Sequence, residues 1–138
     1  MVKLNLHGKA SQIKIHENNV SQSSLYSNAY PAKNAVNGKG KFAHTNAGVG
    51  QWWKAEFMQE IDFTKIRIKN RSDCCGERLA KTKVMISGKL CGSIQNKTET
   101  GKWYEVKCNI KGKEVKLVTV QNTWLQIEGV KVYGTRKN

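Results

Sequence analysis

The chain has 138 residues, enough for a hydrophobic core, and we predict a single domain over residues 1–138. Its formal net charge of +14 would suit an anionic partner, but the lysines are scattered and are not interleaved with aromatic residues, so no nucleic-acid partner is predicted. No apolar run approaches the ~18–20 residues that cross a bilayer, so membrane insertion is not expected. The first residues have no apolar signal-peptide core, which leaves two alternatives: secretion by another route, or a leader that is missing from this sequence.

The first third of the chain is mostly polar. Within it, residues 13–15 predict a strand, a short helical turn ends at Gly38, and a glycine-bearing loop over 42–50 carries His44. Period-two alternation of apolar and polar residues, strict over 65–70, then predicts further strands over 51–57, 65–70, 83–87, 103–108, 115–121 and 125–133. Glycine-bearing turns separate these strands, and no segment shows a helical apolar stripe. The pattern predicts an all-β protein, a β-sandwich of about eight antiparallel strands with loops at one end that form the site.

The chain has four cysteines: Cys74, Cys75, Cys91 and Cys108. Their spacing is not that of zinc ligands, so no metal site is predicted from them. Oxidised pairs explain two adjacent cysteines better than four reduced buried thiols do, and they indicate an extracellular compartment. Cys91 and Cys108 lie on adjacent predicted strands and suit a cross-strand bridge. For Cys74 and Cys75 a strained bridge between neighbours, a redox dithiol and two unpaired thiols all stay open, because consecutive Cα atoms lie closer than a relaxed disulfide prefers.

The adjacent cysteines lie within a hydrogen-bonding cluster formed by Arg71, Asp73 and Arg78. Each guanidinium is a planar fork of N–H donors, and a nearby carboxylate can orient it. Such a cluster suits a guest rich in acceptor oxygens: a sugar, a carboxylate or a phosphate. His44 can join it, because loops at one end of a β-sandwich converge. No second carboxylate is placed beside Asp73 for glycoside hydrolysis, and no nucleophile–base pair is recognisable, so we predict that the chain is not an enzyme.

The spacing of these four residues resembles the motif of the F-type lectins, a fucose-binding family with a discoidin-like, jelly-roll β-sandwich. Twenty-six residues separate His44 from Arg71, one separates Arg71 from Asp73, and four separate Asp73 from Arg78, as in the family motif. The resemblance extends over nearly the whole chain. It includes Trp52-Trp53, the Cys-Cys-Gly-Glu-Arg-Leu run at 74–79, Cys91-Gly92, Cys108 and the closing Val-Lys-Val-Tyr-Gly at 130–134.

The resemblance implies a secreted, non-catalytic lectin for a terminal galacto-configured sugar, L-fucose or D-galactose, on glycoproteins or cell surfaces. His44, Arg71 and Arg78 would donate hydrogen bonds to the sugar oxygens. Asp73 would hold both arginines, and a Cys74–Cys75 disulfide would stack on the sugar. Single-site affinity of roughly micromolar to millimolar makes a homo-oligomer an expected arrangement. The alternative is a basic binding module for sulfated glycans or nucleic acid, whose affinity would fall steeply with salt.

The calcium site of the family is degenerate in this sequence. Its positions hold Asn34, Asn37, Lys39 and Glu128. Calcium prefers several oxygen ligands, including carboxylates, so we expect neither calcium nor another cofactor here. Lys39 or Lys41 is expected to pair with Glu128 in place of the ion. The loop before His44 is also shorter than in the family, which removes a wall around the fucose methyl group and leaves L-fucose and galactose as equal candidates.

Overall fold

The structure is a computed structural model that describes residues 10–136. Eight antiparallel strands make up the fold, as predicted, and the all-β class is confirmed. The strands are β1 Ser11–Ile13, β2 Val20–Gln22, β3 Ala43–Gly48, β4 Trp52–Asn70, β5 Lys83–Ile86, β6 Lys89–Ser93, β7 Trp103–Val118 and β8 Thr123–Arg136. Three short 3₁₀ turns cover Glu17–Asn19, Ala32–Ala35 and Gly76–Leu79. No helix in this described part of the chain is long and apolar enough to span a membrane.

The long strand β4 organises the sheet. Neighbouring strands follow the order β1-β8-β4-β7-β5-β6, while β2 pairs with β4 and β3 with β8. β4 pairs with β2 through residues 53–55 and with β8 through residues 61–70, and its register shifts between Glu56 and Ile61. A strand that changes partner at such a bulge contributes to both layers of a sandwich.

Two pairs of predicted strands are single strands in the structure. Segments 51–57 and 65–70 both fall in β4, which begins at Trp52, and segments 103–108 and 115–121 both fall in β7, which ends at Val118. In β4 residues 58–60, which follow the first segment, are exposed, Met58 at 88%, so the apolar alternation is interrupted there before it resumes at Ile61. Backbone pairing resumes after the bulge, because a ladder needs main-chain partners and not an apolar face.

The core is formed by the inward residues of β4, β5, β7 and β8. Its largest fully buried side chains include Trp53, Phe63, Ile61, Ile66, Ile68, Leu117, Leu125 and Ile127. The indole Nε1 of Trp53 donates to the carbonyl of Ala32 at 3.0 Å, which ties the first long loop to the core. A disulfide joins Cys91 on β6 to Cys108 on β7, as expected from their positions on adjacent strands.

Candidate functional site

A buried amide shapes the loop that follows β4. The side chain of Asn70 is 1% exposed; its Nδ2 donates to the carbonyls of Gly76 at 2.8 Å and Glu99 at 3.0 Å, and its Oδ1 accepts from the backbone N–H of Arg71 at 3.0 Å. A Cβ on Gly76 would lie 2.3 Å from the backbone nitrogen of Thr100. Buried polar groups with their partners in place rigidify a segment, so this loop presents its outer residues in one geometry.

The loop carries a disulfide between the neighbours Cys74 and Cys75. All four cysteines are therefore in disulfides. Of the three alternatives for Cys74 and Cys75, the structure has the bridge between neighbours. Cys75 has a left-handed backbone, with φ of +67°, and the 3₁₀ turn Gly76–Leu79 begins directly after it. Leu79 is 1% exposed and anchors this turn in the core, which places Arg78 beside the disulfide.

A pocket of about 350 Å³ brings five of the six predicted site residues together. Its lining consists of Tyr26, Tyr30, His44, Arg71, Cys74, Cys75, Arg78 and Trp124. Asp73 is the exception, since it lies outside the lining with a side chain 64% exposed. The lining therefore combines guanidinium donors, aromatic rings and a disulfide.

Each arginine is held by an aromatic ring and by an oxygen acceptor. Arg71 lies over the ring of Phe42 at 4.4 Å, and its Nε and Nη2 donate to the two oxygens of Asp73 at 2.6 and 3.3 Å. The hydrogen bond from Arg71 lowers the pKa of Asp73 below its ordinary value. Arg78 lies over the ring of Trp124 at 4.3 Å. The expectation that Asp73 holds both arginines is wrong in this structure: its hydrogen bonds and ion pair go to Arg71, and it does not line the pocket.

Gln126 holds the second arginine, and sequence reasoning missed it. One atom of its side-chain amide lies 2.7 Å from Nη1 of Arg78, 3.2 Å from Nη1 of Arg71 and 2.8 Å from Nε2 of His44. Guanidinium N–H groups can only donate, so this atom is assigned as the amide oxygen. Gln126 is 2% exposed and lies between two buried apolar residues of β8. This break in the alternation is the pattern that could have marked it, because a buried amide needs partners.

His44 lies on strand β3 and not in a loop, which corrects the sequence prediction. The glycines nearby suggested a loop, but His44 pairs with Gln126 across the β3–β8 ladder. The ring is 4% exposed, its Nδ1 lies 2.8 Å from the carbonyl oxygen of Thr45, and Tyr26 stacks on it at 4.3 Å. Both ring nitrogens therefore contact protein oxygens.

The protonation of His44 follows from these surroundings. Burial lowers its pKa below the ordinary 6.5; the Thr45 carbonyl acts in the opposite direction, and the charges of Arg71 and Arg78 lower it further. A neutral imidazole has one N–H. At neutral pH it can donate to the oxygen of Thr45 or of Gln126, but not to both.

Three aromatic side chains of the pocket were also missed. Tyr26 and Tyr30 come from the polar stretch interpreted as a long loop, and Trp124 is the second residue of β8. Tyr26 is 55% exposed, while Tyr30 stacks on Phe42 at 4.9 Å. Tyr and Trp are enriched at binding interfaces, so two tyrosines in a polar stretch were the available indication.

The region of the degenerate calcium site holds an ion pair. The carboxylate of Glu128, 8% exposed, lies 2.7 Å from Nζ of Lys69 and accepts from the N–H and hydroxyl of Ser72 at 3.1 and 3.0 Å. The expected pairing with Lys39 or Lys41 is wrong, because Lys69 on the neighbouring strand lies closer.

The remaining positions of that region have structural partners of their own. Nδ2 of Asn34 donates to the carbonyls of Ala29 and Phe42 at 3.0 and 3.1 Å, and Oδ1 of Asn37 accepts from the N–H of Lys39 at 3.1 Å. Across residues 10–136, no three His, Cys, Asp or Glu side chains group in a way that could hold a metal ion.

The relatives found by comparison agree with the resemblance to F-type lectins. Fucolectin-6 of Anguilla japonica is 37% identical over 62 residues, which cover 40% of this chain and 33% of that protein. The crystal structure of a fucolectin from striped bass (Morone saxatilis) serum aligns with a TM-score of 0.72 and 25% identity, over 95% of this chain and 48% of that one. This chain thus spans about a third to a half of the length of these relatives.

The fold agrees with a further solved structure and with a family model. A fucose binding module of Streptococcus pneumoniae, SpX-3, aligns with a TM-score of 0.73 and 21% identity, over 89% of this chain and 97% of that one, and shows the shared fold. The model of the F5/8 type C domain matches residues 19–138, most of the chain. The chain belongs to the F5/8 type C domain family.

Proposed function

We propose that this domain is a carbohydrate-binding lectin whose pocket takes a terminal galacto-configured sugar, L-fucose or D-galactose. The observation that carries the proposal is the convergence of Arg71, Arg78 and the Cys74–Cys75 disulfide on one open pocket. The similarity to proteins named fucolectin and to a fucose binding module supports the same class of ligand.

The polar side of the pocket suits sugar oxygens. Nε and one N–H each of Nη1 and Nη2 of Arg71 are engaged by Asp73 and Gln126, which fixes the direction of its remaining N–H groups. Among the contacts described here, Arg78 gives one N–H to Gln126, so most of its fork is free for a guest. Hydroxyls placed to accept from these fixed donors would bind, whereas the wrong epimer would leave donors unpaired, which is costly.

The apolar side suits the carbon face of a pyranose ring. The Cys74–Cys75 disulfide and the ring of Trp124 are rigid, so contact with them costs little conformational entropy. Tyr26 adds an exposed ring above His44. We propose that the disulfide stacks on the sugar and that the aromatic rings receive either the methyl group of L-fucose or the apolar patch of D-galactose.

The resemblance assigns His44 a donor role, and its surroundings favour a different one. Both of its ring nitrogens are directed at protein oxygens. We propose that Arg71 and Arg78 are the principal donors to the sugar, while His44 supports Tyr26 and Gln126. No catalytic role is proposed, because the carboxylate nearest the arginines, Asp73, is committed to Arg71.

A shallow pocket that buries few sugar atoms gives weak single-site binding. We therefore propose that useful binding to glycoproteins or cell surfaces needs several sites, through a homo-oligomer or a longer chain, in an extracellular setting that two disulfides suit.

The test is inhibition of binding to immobilised fucosylated and galactosylated glycans. Free L-fucose or D-galactose should inhibit, D-glucose should not, and the stronger inhibitor identifies the preferred sugar. Arg78→Ala should abolish measurable binding. Arg67→Ala is the matched control, because Arg67 also lies over a tryptophan, Trp103 at 5.0 Å, but outside the pocket. Binding that neither sugar inhibits would refute the proposal.

A further inference from the structure

We propose that the outer face of β7, β4 and β8 is a second binding site, which takes the chain of a sulfated polysaccharide independently of the sugar pocket. On this face nine residues form a grid, because β4 pairs with both neighbouring strands in register. The three rows are Tyr133, Lys65 and Lys107; Lys131, Arg67 and Glu105; and Gly129, Lys69 and Trp103. Alternation sends these side chains outward, while Ile66, Ile68 and Val132 on the same strands are buried.

We call these nine residues the cationic face. Its net charge is positive, and nearby carboxylates neutralise some of its cations more than others. Five cations share two carboxylates, Glu105 within the grid and Glu128 at its end, which leaves a net charge of +3. Glu105 is 3.6 Å from Lys65, 4.0 Å from Arg67 and 3.7 Å from Lys107, so one carboxylate is divided among three cations. Lys131 has no carboxylate among the ion pairs of residues 10–136. A polyanion would complete the charge balance of this face.

Aromatic rings hold three of these cations in place. Arg67 and Lys131 lie over Trp103 at 5.0 and 4.8 Å, and Lys65 lies over Tyr133 at 4.7 Å. Cations that are already positioned lose less side-chain entropy when an anion binds. The same contacts cover the rings, which are then not available as platforms for nucleobases. The face therefore suits a polymer recognised by its charges, a sulfated polysaccharide, better than a nucleic acid.

The spacing of the cations suits a chain and not a single anion. Lys65, Arg67 and Lys69 are alternate residues of one strand, so their Cα atoms lie roughly 6.6 Å apart and the row extends over about 13 Å. The row leads into a cleft of about 370 Å³ whose lining includes Lys69, Trp103, Gly129 and Lys131. A Cβ on Gly129 would lie 2.9 Å from the ring of Trp103, so glycine leaves this cleft open. A polysaccharide with regularly spaced sulfates could follow the row and place a ring in the cleft.

The test measures binding of the full chain to immobilised dextran sulfate, with neutral dextran as the polymer control, over a range of salt concentrations. Binding to dextran sulfate but not to dextran is expected, with a steep decrease in affinity as salt rises. The double variant Arg67→Gln with Lys131→Gln should weaken binding about tenfold or more. It should also reduce the salt slope by close to two contacts, at about 0.9 per contact by analogy with other polyanions.

The matched control removes the same charge elsewhere on the same sheet. Lys54 on β4 and Lys116 on β7 both lie 5.1 Å from the ring centroid of Trp52. The double variant Lys54→Gln with Lys116→Gln should weaken dextran sulfate binding less than about twofold. Equal losses in the two double variants would overturn the proposal, since they would show that net charge alone is responsible.

A third variant is expected to strengthen binding, which a folding defect would not do. Glu105→Gln removes the carboxylate that three cations share, so dextran sulfate binding should tighten about threefold. No tightening would contradict the proposal. Excess L-fucose or D-galactose should not compete, and competition would place the polymer in the sugar pocket. Tighter binding of a DNA duplex through the same cations would assign the face to nucleic acid and overturn the proposal.

Discussion

The side-chain oxygen of Gln126 lies 2.7 Å from Nη1 of Arg78, beneath the pocket and out of contact with solvent. It also lies within hydrogen-bond distance of Arg71 and His44. One buried amide of β8 therefore sets the orientation of three residues that come from three different segments of the chain.

Replacing this amide by an apolar side chain should cost both stability and sugar binding. Gln126→Leu leaves two guanidinium groups without a buried acceptor, which we expect to lower the free energy of unfolding by about 1–3 kcal/mol. Sugar affinity should decrease as well, because the arginine forks lose their orientation. Chemical denaturation and glycan binding measure the two effects. Gln95→Leu is the control, since Gln95 is exposed and its amide contacts one backbone carbonyl. Unchanged sugar affinity in Gln126→Leu would refute the positioning role.

His44 should make the domain less stable in mild acid. Because its pKa is lower in the folded protein than the ordinary 6.5, the unfolded chain binds more protons between the two values. Stability from this group is complete above pH 6.5 and decreases as the pH falls from there through the folded pKa.

An NMR titration of the imidazole checks the pKa, and unfolding curves at several pH values check the stability. His44→Asn should remove the pH dependence in this window. A His44 ring that titrates above 6.5 would contradict the prediction.

Asp73 should affect affinity more than stability. Its carboxylate is exposed, so Asp73→Asn should change stability little, but Arg71 then loses the charged partner of its Nε. We expect a loss of a few-fold in sugar affinity, roughly the effect of one exposed charged hydrogen bond. Glu99→Gln is the control, as Glu99 is an exposed carboxylate paired with Lys102 at 2.9 Å. Equal sugar affinities for the two variants would show that Asp73 does not orient Arg71.

Removal of each of the two disulfides should affect stability and sugar affinity differently. Cys91→Ala with Cys108→Ala opens a cross-strand loop with a sequence separation of 17, and should lower stability by about 3 kcal/mol while sugar affinity persists in the folded fraction. Cys74→Ala with Cys75→Ala opens almost no chain loop, so stability should change less, but the pocket loses the surface proposed to stack on the sugar. Thermal unfolding and sugar affinity of both variants decide. The opposite pattern would reject the stacking role.

Calcium should not bind stoichiometrically. The ammonium of Lys69 already lies 2.7 Å from Glu128, and Asn34 and Asn37 are engaged with backbone groups. Calorimetric titration should show no saturable heat, and a chelator should leave the melting temperature unchanged. Lys69→Ala removes the cation that competes with calcium for Glu128. The same titration of this variant therefore tests whether Lys69 is the reason for the lack of binding. Tight one-to-one binding by the unmodified chain would refute the expectation.

The alternation of apolar and polar residues was enough to predict the fold class and most strands, since strands with one buried face dominate this domain. It could not predict that β4 and β7 continue through bulges, because main-chain pairing leaves no trace in side-chain polarity. The motif spacing predicted that one site would contain His44, Arg71, Cys74, Cys75 and Arg78. Gln126 and the three aromatic residues escaped, because their role depends on which loops and strands approach one another in space.

The outward residues of β4 lead directly from the cationic face to the pocket, since Lys65, Arg67 and Lys69 are followed two positions later by Arg71. Deleting one residue directly before Lys65 would therefore exchange the two sides of this run relative to the rest of the strand. Lysines would enter the core, isoleucines would face solvent, and both proposed surfaces would be lost together. Substitutions can adjust these surfaces one at a time, but a change in the length of this strand cannot, so engineered variants of the domain should keep the spacing from Lys65 to Arg71 intact.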